Sequence, residues 1–159
     1  MTRFGDLLRA LASAGVDFVL VGGVAAAAHG SPRGTQDLDV VYRRDEDNLL
    51  KLVGSLAVLH PYLRGAPPGL PFRFDLPTVR AGLNFTLMTD LGAIDLLGEI
   101  AGGGNYESLV DHTVTVDAFG VSCRMLDLET LIRTKKAAGR PKDLEGIAEL
   151  ESLRRHSRA

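Results

Sequence analysis

The run DLDVVYR puts two aspartates, Asp37 and Asp39, where a buried strand would carry apolar residues. Side chains two apart on a strand share a face, so the two carboxylates stand side by side while Leu38 and Val40 point the opposite way. Like charges on one face repel, and burying them unpaired is very costly. A fold that accepts this strand must bring a counter-charge to that face or open it to water. Taken alone, the pattern also fits a solvated strand edge or a pair that caps a turn.

The flanking sequence narrows the choice. Upstream, VDFVLVGG is a short, almost wholly apolar run with β-branched residues, and it ends in Gly22 and Gly23. It reads as a strand buried on both faces. The glycine pair opens a short alanine-rich helix, VAAAAHG, closed by Gly30. Glycine at such a turn lets the backbone approach a phosphate closely, and a helix start offers it free N–H groups. Downstream, Asp95 in GAIDLL sits between apolar neighbours in the same way. If its strand pairs beside that of Asp37 and Asp39, three carboxylates converge. Hard cations such as Mg2+ or Mn2+ take carboxylate oxygens and keep waters and substrate phosphates as further ligands. A cluster of this kind can hold two ions that clamp a phosphoryl transfer.

The remaining segments imply a small mixed fold. DLLRALASAG places Leu7, Leu8 and Leu11 on one helical face and ends at Gly15. SPRGTQ is a loop, and DEDNLLKLVGSLAVL an amphipathic helix with acids in its first turn. HPYLRGAPPGLPFRFDLPTVRAG, rich in proline and glycine, reads as a long ordered loop with little regular structure. LNFTLMTD and GAIDLLGEI form a hairpin turning at Asp90–Gly92, NYESLVDH gives one or two helical turns, and TVTVDAFGVSCRML is a second hairpin turning near Phe119–Gly120. DLETLIRTKKAAG is a helix capped by Asp127 and stopped at Gly139, and RPKDLEGIAELESLRR is a last helix with Pro141 near its first position. The order α, β, α, β, α, then hairpins, then two helices predicts an α/β (α+β) domain spanning 1–159, with helices outside a mixed sheet.

Composition excludes several classes. The 159 residues are 45% hydrophobic, enough for a core without staples, and the single cysteine, Cys123, rules out an internal disulfide. Cys123 lies in the apolar run GVSCRML and reads as a buried structural thiol. A formal net charge of -2 provides no global basic field toward nucleic acid or anionic lipid, although a local basic patch is compatible with it. The apolar run from Phe18 to Ala28 falls far short of the ~20 residues of a membrane helix. The N-terminus carries charges and has no long apolar stretch of the signal-peptide kind. The expectation is a soluble, cytoplasmic protein with no membrane partner.

A metal-bound phosphate group needs cations as well. Arg33 precedes the aspartates in their loop, with Thr35 two residues on. In the helix after Asp127, a step of about 100° per residue aligns Leu128, Leu131 and Ile132, and Lys135 falls in the same stripe. Its ammonium must snorkel outward or meet an anion. Lys136 lies at the margin and reads as solvated. Arg140, Lys142 and Asp143 open the last helix, where Asp143 suits the helix dipole as well as it suits a site. His29 reads as a structural histidine, with a site role as the alternative, and Tyr106 fits either core or cleft.

The stretch VGGVAAAAHGSPRGTQDLDVV resembles the signature of the nucleotidyltransferase superfamily related to DNA polymerase β: an apolar residue, a small-residue pair, a spacer of about a dozen residues, then Asp-x-Asp between apolar residues. Gly22 and Gly23 match the pair, Asp37 and Asp39 the metal ligands, and Asp95 the third carboxylate. Within the superfamily, HGSPRGTQDLDVV and LIRTKKAAGRPKDLEGIAEL are most similar to the small bacterial stand-alone group near the AbiEii-type toxins. The resemblance implies a mixed sheet flanked by helices with a helical C-terminus. It implies Mg2+- or Mn2+-dependent transfer of a nucleotidyl group from a nucleoside triphosphate such as ATP to an acceptor hydroxyl. It also implies an acceptor RNA such as tRNA, or a protein partner in a toxin–antitoxin pair. From the residues themselves, Arg33 and Thr35 read as triphosphate contacts or as a solvent-facing loop pair, and Lys135 as a contact to phosphate or to a site carboxylate. By the resemblance RPKD matches a late lysine–aspartate pair of the site, which adds Lys142 to the triphosphate contacts. One departure concerns phosphate affinity: many members carry serine where this chain has Gly23, which offers only its amide. A non-catalytic nucleotide- or partner-binding protein on the same fold is the alternative.

Overall fold

Four consecutive buried residues, Phe18–Val21, form strand β1, an interior strand of the sheet. The structure is a computed structural model that describes residues 1–157, without the side chains of Lys142 and Ser157. Helix α1 (Phe4–Ser13) precedes β1, and α2 (Gly22–Ala28) follows it without an intervening residue. Then come β2 (Asp37–Tyr42), α3 (Glu46–Leu56), β3 (Tyr62–Leu63), α4 (Leu76–Ala81), β4 (Phe85–Thr89) and β5 (Gly92–Leu97). A small ribbon, β6 (Glu99–Ile100) with β7 (Gly104–Asn105), leads to α5 (Tyr106–Leu109). The hairpin β8 (Thr113–Ala118) and β9 (Val121–Leu126) and the helices α6 (Leu128–Ala138) and α7 (Pro141–Ser157) complete the chain.

Seven strands form one mixed sheet in the order β3-β4-β5-β2-β1-β9-β8. β2 runs antiparallel to β1 and parallel to β5, and β1 runs parallel to β9. Helices α1, α3 and α4 pack in one group, and α2, α6 and α7 in another. Leu7, Leu8 and Leu11 of α1 are fully buried, as the helical spacing predicts, and Leu38, Val40, Ile94 and Leu96 fill the core from the two central strands. Aspartate side chains accept from backbone N–H groups at three helix starts: Asp45 for α3, Asp75 for α4 and Asp127 for α6. Each such cap contributes about 1 kcal/mol. Cys123 is buried, as expected.

The proline- and glycine-rich stretch after α3 differs from its sequence reading. It contains an edge strand, β3, paired antiparallel with β4, and a helical turn and a half, α4. The Asp75 cap and the proline in the first turn of α4 nucleate that helix locally. The β6–β7 ribbon was also not foreseen; two-residue strands leave no periodic trace. Among the described residues no helix is long and apolar enough to cross a membrane.

Candidate functional site

The carboxylates meet because β2 and β5 are adjacent and parallel. Asp39 stands opposite Asp95, and Asp37 opposite Ala93, so all three side chains leave the same face of the sheet. One oxygen from each lies within 4.8 Å of the others. On its other side Asp39 pairs with Val21, the last residue of β1, which places Gly22 directly against the Asp39 carboxylate. Gly22 has φ +68°, and a Cβ there would lie 2.0 Å from Asp39 Oδ2. At Gly23 a Cβ would meet Thr35 Oγ1 at 2.6 Å, so the threonine side chain occupies the space a larger residue 23 would need.

Asp39 Oδ1 is buried and has no hydrogen-bond partner. Burial first, then the charge of Asp95, a hydrogen bond with Asp95 and the charge of Asp37 push the Asp39 carboxyl up to about 7, against the opposing pull of Arg64. Asp95 is also raised, by burial above all, although the Arg64 guanidinium counters it. Three crowded carboxylates with an orphaned buried oxygen form a donor set that fits a hard divalent cation.

A hollow of about 240 Å³ opens in front of the carboxylates. Its walls include Gly22, Gly23, Thr35, the three aspartates and the cations Arg33, Lys135 and Arg140. Asp143, only 3% exposed, holds two of these cations: Arg140 Nε donates to it at 2.9 Å and Lys135 Nζ lies 3.9 Å away. Arg33 is held by two acids of α7, Glu145 at 2.9 Å and Glu149 at 3.1 Å. A second hollow of about 220 Å³ adjoins the first and shares Gly22, Asp39, Lys135 and Arg140 with it. It is lined mainly by apolar groups, among them Leu97, Ile100, Leu131 and Ala138.

The fold thus gathers Gly22, Gly23, Arg33, Thr35, Asp37, Asp39, Asp95 and Lys135 around one hollow. The Lys142 side chain lies outside the described residues. His29 is elsewhere engaged, its Nε2 2.8 Å from the Leu126 carbonyl oxygen. Tyr106 is buried, and its hydroxyl accepts from Arg124 at 2.8 Å. Two cations escaped the sequence reading. Arg140 was noted only as part of a helix start. Arg64, in the proline-rich stretch, reaches back into the carboxylate cluster: Nη1 lies 3.1 Å from Asp37 Oδ1, and Nη2 donates to Asp95 Oδ1. No local signal distinguishes it from a solvent-facing loop arginine.

No protein-family model matches the chain, and no curated protein matches it in sequence. Solved structures do match in fold. The lincomycin-bound lincosamide antibiotic adenylyltransferase LnuA superposes with a TM-score of 0.62 at 15% identity, over 96% of this chain and 98% of that one. The antibiotic-resistance factor ANT(2'')-Ia gives 0.56 at 14% identity, over 98% of this chain and 89% of that one. An antigenic nucleotidyltransferase-like protein from Paracoccidioides brasiliensis gives 0.50 at 19% identity, over 94% and 72%. The chain therefore has the nucleotidyltransferase fold, as its sequence pattern predicted. None of these three is named as a toxin.

Proposed function

We propose that this protein is a metal-dependent nucleotidyltransferase that passes a nucleoside monophosphate from a nucleoside triphosphate to an acceptor hydroxyl. The observation that carries this reading is a three-carboxylate cluster on adjacent parallel strands that lines a hollow together with three cationic side chains, Arg33, Lys135 and Arg140. The fold shared with named adenylyltransferases supports it.

Asp37, Asp39 and Asp95 would hold Mg2+ or Mn2+. When bound, the ions supply charge neutralisation at the transferring phosphoryl group and acidify the acceptor hydroxyl. Gly22 and Gly23 expose backbone to the triphosphate at close range. Arg33, Lys135 and Arg140 offset its charge, the Thr35 hydroxyl offers a hydrogen bond, and Lys142 joins them in the sequence-based assignment. Asp95 accepts the hydroxyl proton as the acceptor oxygen attacks the α-phosphorus. The bond from that phosphorus to the oxygen bridging to the β-phosphate breaks, and pyrophosphate leaves. The adjoining apolar hollow suits a nucleobase, with Leu97, Ile100, Leu131 and Ala138 as the packing surface.

RNA such as tRNA, or a protein partner in a toxin–antitoxin pair, is one acceptor reading, and it rests on the resemblance to the AbiEii-type group. A small hydroxyl compound is the second, favoured by a fold match along nearly the full length of an antibiotic adenylyltransferase with lincomycin bound. The test offers α-labelled nucleoside triphosphates and Mg2+ with RNA, cell protein and small polyhydroxy compounds in parallel. Label should move to one class only, and Asp37→Ala should abolish the transfer. Wild-type transfer by Asp37→Ala would remove the assignment. Calorimetry without Mg2+-dependent nucleotide binding would favour the non-catalytic alternative.

A further inference from the structure

Arg64 occupies the place in the carboxylate cluster where a cation is needed. Its two terminal nitrogens fork across Asp37 and Asp95, from opposite strands of the parallel pair. The side chain is only 23% exposed, and its Nε is buried with no hydrogen-bond partner. A buried guanidinium normally satisfies every N–H it can. Here one donor is left unmet while the other two nitrogens engage carboxylates, so the geometry serves the cluster and not the arginine. The backbone at Arg64 is pinned, its N–H donating to the Thr86 carbonyl at 2.9 Å. Beyond it the chain turns through Gly65 and Gly69, both with positive φ and with open space around them. The root of the side chain is thus fixed on the sheet edge, while the chain that follows it is loosely packed at the two glycines.

We propose that Arg64 is a resident counter-cation of the metal-free site, which the carboxylates exchange for the divalent ion. This rests on the metal-dependent reading above. The guanidinium, paired with Asp37 and Asp95, and a divalent cation would compete for these carboxylates, and their like charges oppose occupancy together. Arg64 keeps the three carboxylates converged before the ion arrives and lowers the affinity of the empty protein for it. Asp39 receives no hydrogen bond from Arg64 and keeps its orphaned oxygen. Arg64 is a positioning residue and acts through the aspartates.

The experiment measures Mn2+ binding to nucleotide-free protein by electron paramagnetic resonance, together with thermal midpoints with and without the ion. It uses wild type, Arg64→Gln and Arg64→Lys, each checked for folding by circular dichroism. Arg64→Gln should bind Mn2+ about tenfold more tightly or better, as expected when a charge-assisted competitor is removed. Its metal-free midpoint should fall below wild type, and Mn2+ should restore it. Arg64→Lys, which keeps the charge but loses the fork, should lie between. Weaker Mn2+ binding in Arg64→Gln would show that Arg64 merely supports the fold and would overturn the proposal. Equal binding in all three proteins would also overturn it while leaving the metal-dependent reading intact. No Mn2+ binding by any of the three would remove both.

Discussion

Gly22 is the residue with least freedom in the site. Its φ of +68° and the 2.0 Å approach that a Cβ would make to Asp39 Oδ2 exclude any side chain. Gly22→Ala adds left-handed strain of about 1–3 kcal/mol and pushes the Asp39 carboxylate out of line. Thermal stability and Mn2+ affinity should therefore fall together, and a variant with lowered stability but wild-type affinity would separate Asp39 from its glycine seat. Asp143 poses an electrostatic question. Burial would raise its carboxyl, but the hydrogen bond and charge of Arg140 and the charge of Lys135 outweigh burial and hold it below the ordinary value. A carboxyl lowered by folding stabilises above its unfolded pKa of about 3.9 and loses that contribution as pH falls through the folded value. Asp143→Asn should be less stable than wild type at pH 6 in urea, with the gap closing below about pH 4. A gap of the same size at pH 3 and pH 6 would show that packing, not charge, makes the difference.

Elements decide where these residues meet. A slip of one residue between β2 and β5 would send Asp37 and Asp39 to the core face and Leu38 and Val40 to the site. The observed register is held by the core side chains Leu38, Val40, Ile94 and Leu96, all fully buried. Val40→Asp should unfold the protein, because it buries a lone carboxylate in the core; a folded variant by circular dichroism would mean the sheet can shift. Helix α6 carries Lys135 to the hollow from a start capped by Asp127, whose side chain accepts from the Thr130 N–H at 2.8 Å. Asp127→Ala should cost about 1 kcal/mol in chemical denaturation. Its Mn2+ affinity should stay at the wild-type level, since the carboxylates lie on other elements.

At the scale of the whole molecule, each cation of the site is already paired with an acid. Arg64 covers the carboxylates, while Asp143, Glu145 and Glu149 of α7 hold Arg140, Lys135 and Arg33. On the proposed function, a triphosphate entering the hollow would compete with α7 for those cations. The Arg33 pairs are exposed enough to be weak and salt-sensitive. Replacing Glu145 and Glu149 together by glutamine should strengthen binding of a non-hydrolysable triphosphate a few-fold at low salt, with the difference vanishing near 1 M salt, where screening acts within about 3 Å. Titrations at both ionic strengths check this, and a salt-independent gain would point to a change of α7 position in place of freed charge.

Much of the site was legible locally. The period-two spacing of Asp37 and Asp39, the glycine pair closing an apolar run and the off-pattern Lys135 are each readable within one element, because strand and helix periodicities are properties of neighbouring residues. The Asp75 cap and the β6–β7 ribbon were missed because isolated turns and two-residue strands carry no period. Arg64 was missed for a different reason: its partner Asp95 lies 31 residues away. Arg140 pairs locally, with Asp143, but the hollow that both line is assembled from elements distant in sequence, so its place there leaves no local trace. By itself the sequence determined that two carboxylates share a face beside a phosphate-compatible turn. Only the tertiary structure decided that β5 lies parallel beside β2, that Arg64 returns to bridge Asp37 and Asp95, and that α7 supplies acids to the cations lining the hollow. Those choices follow from the packing of the entire sheet and its helices, where burial of distant apolar faces, not local pattern, selects the neighbours.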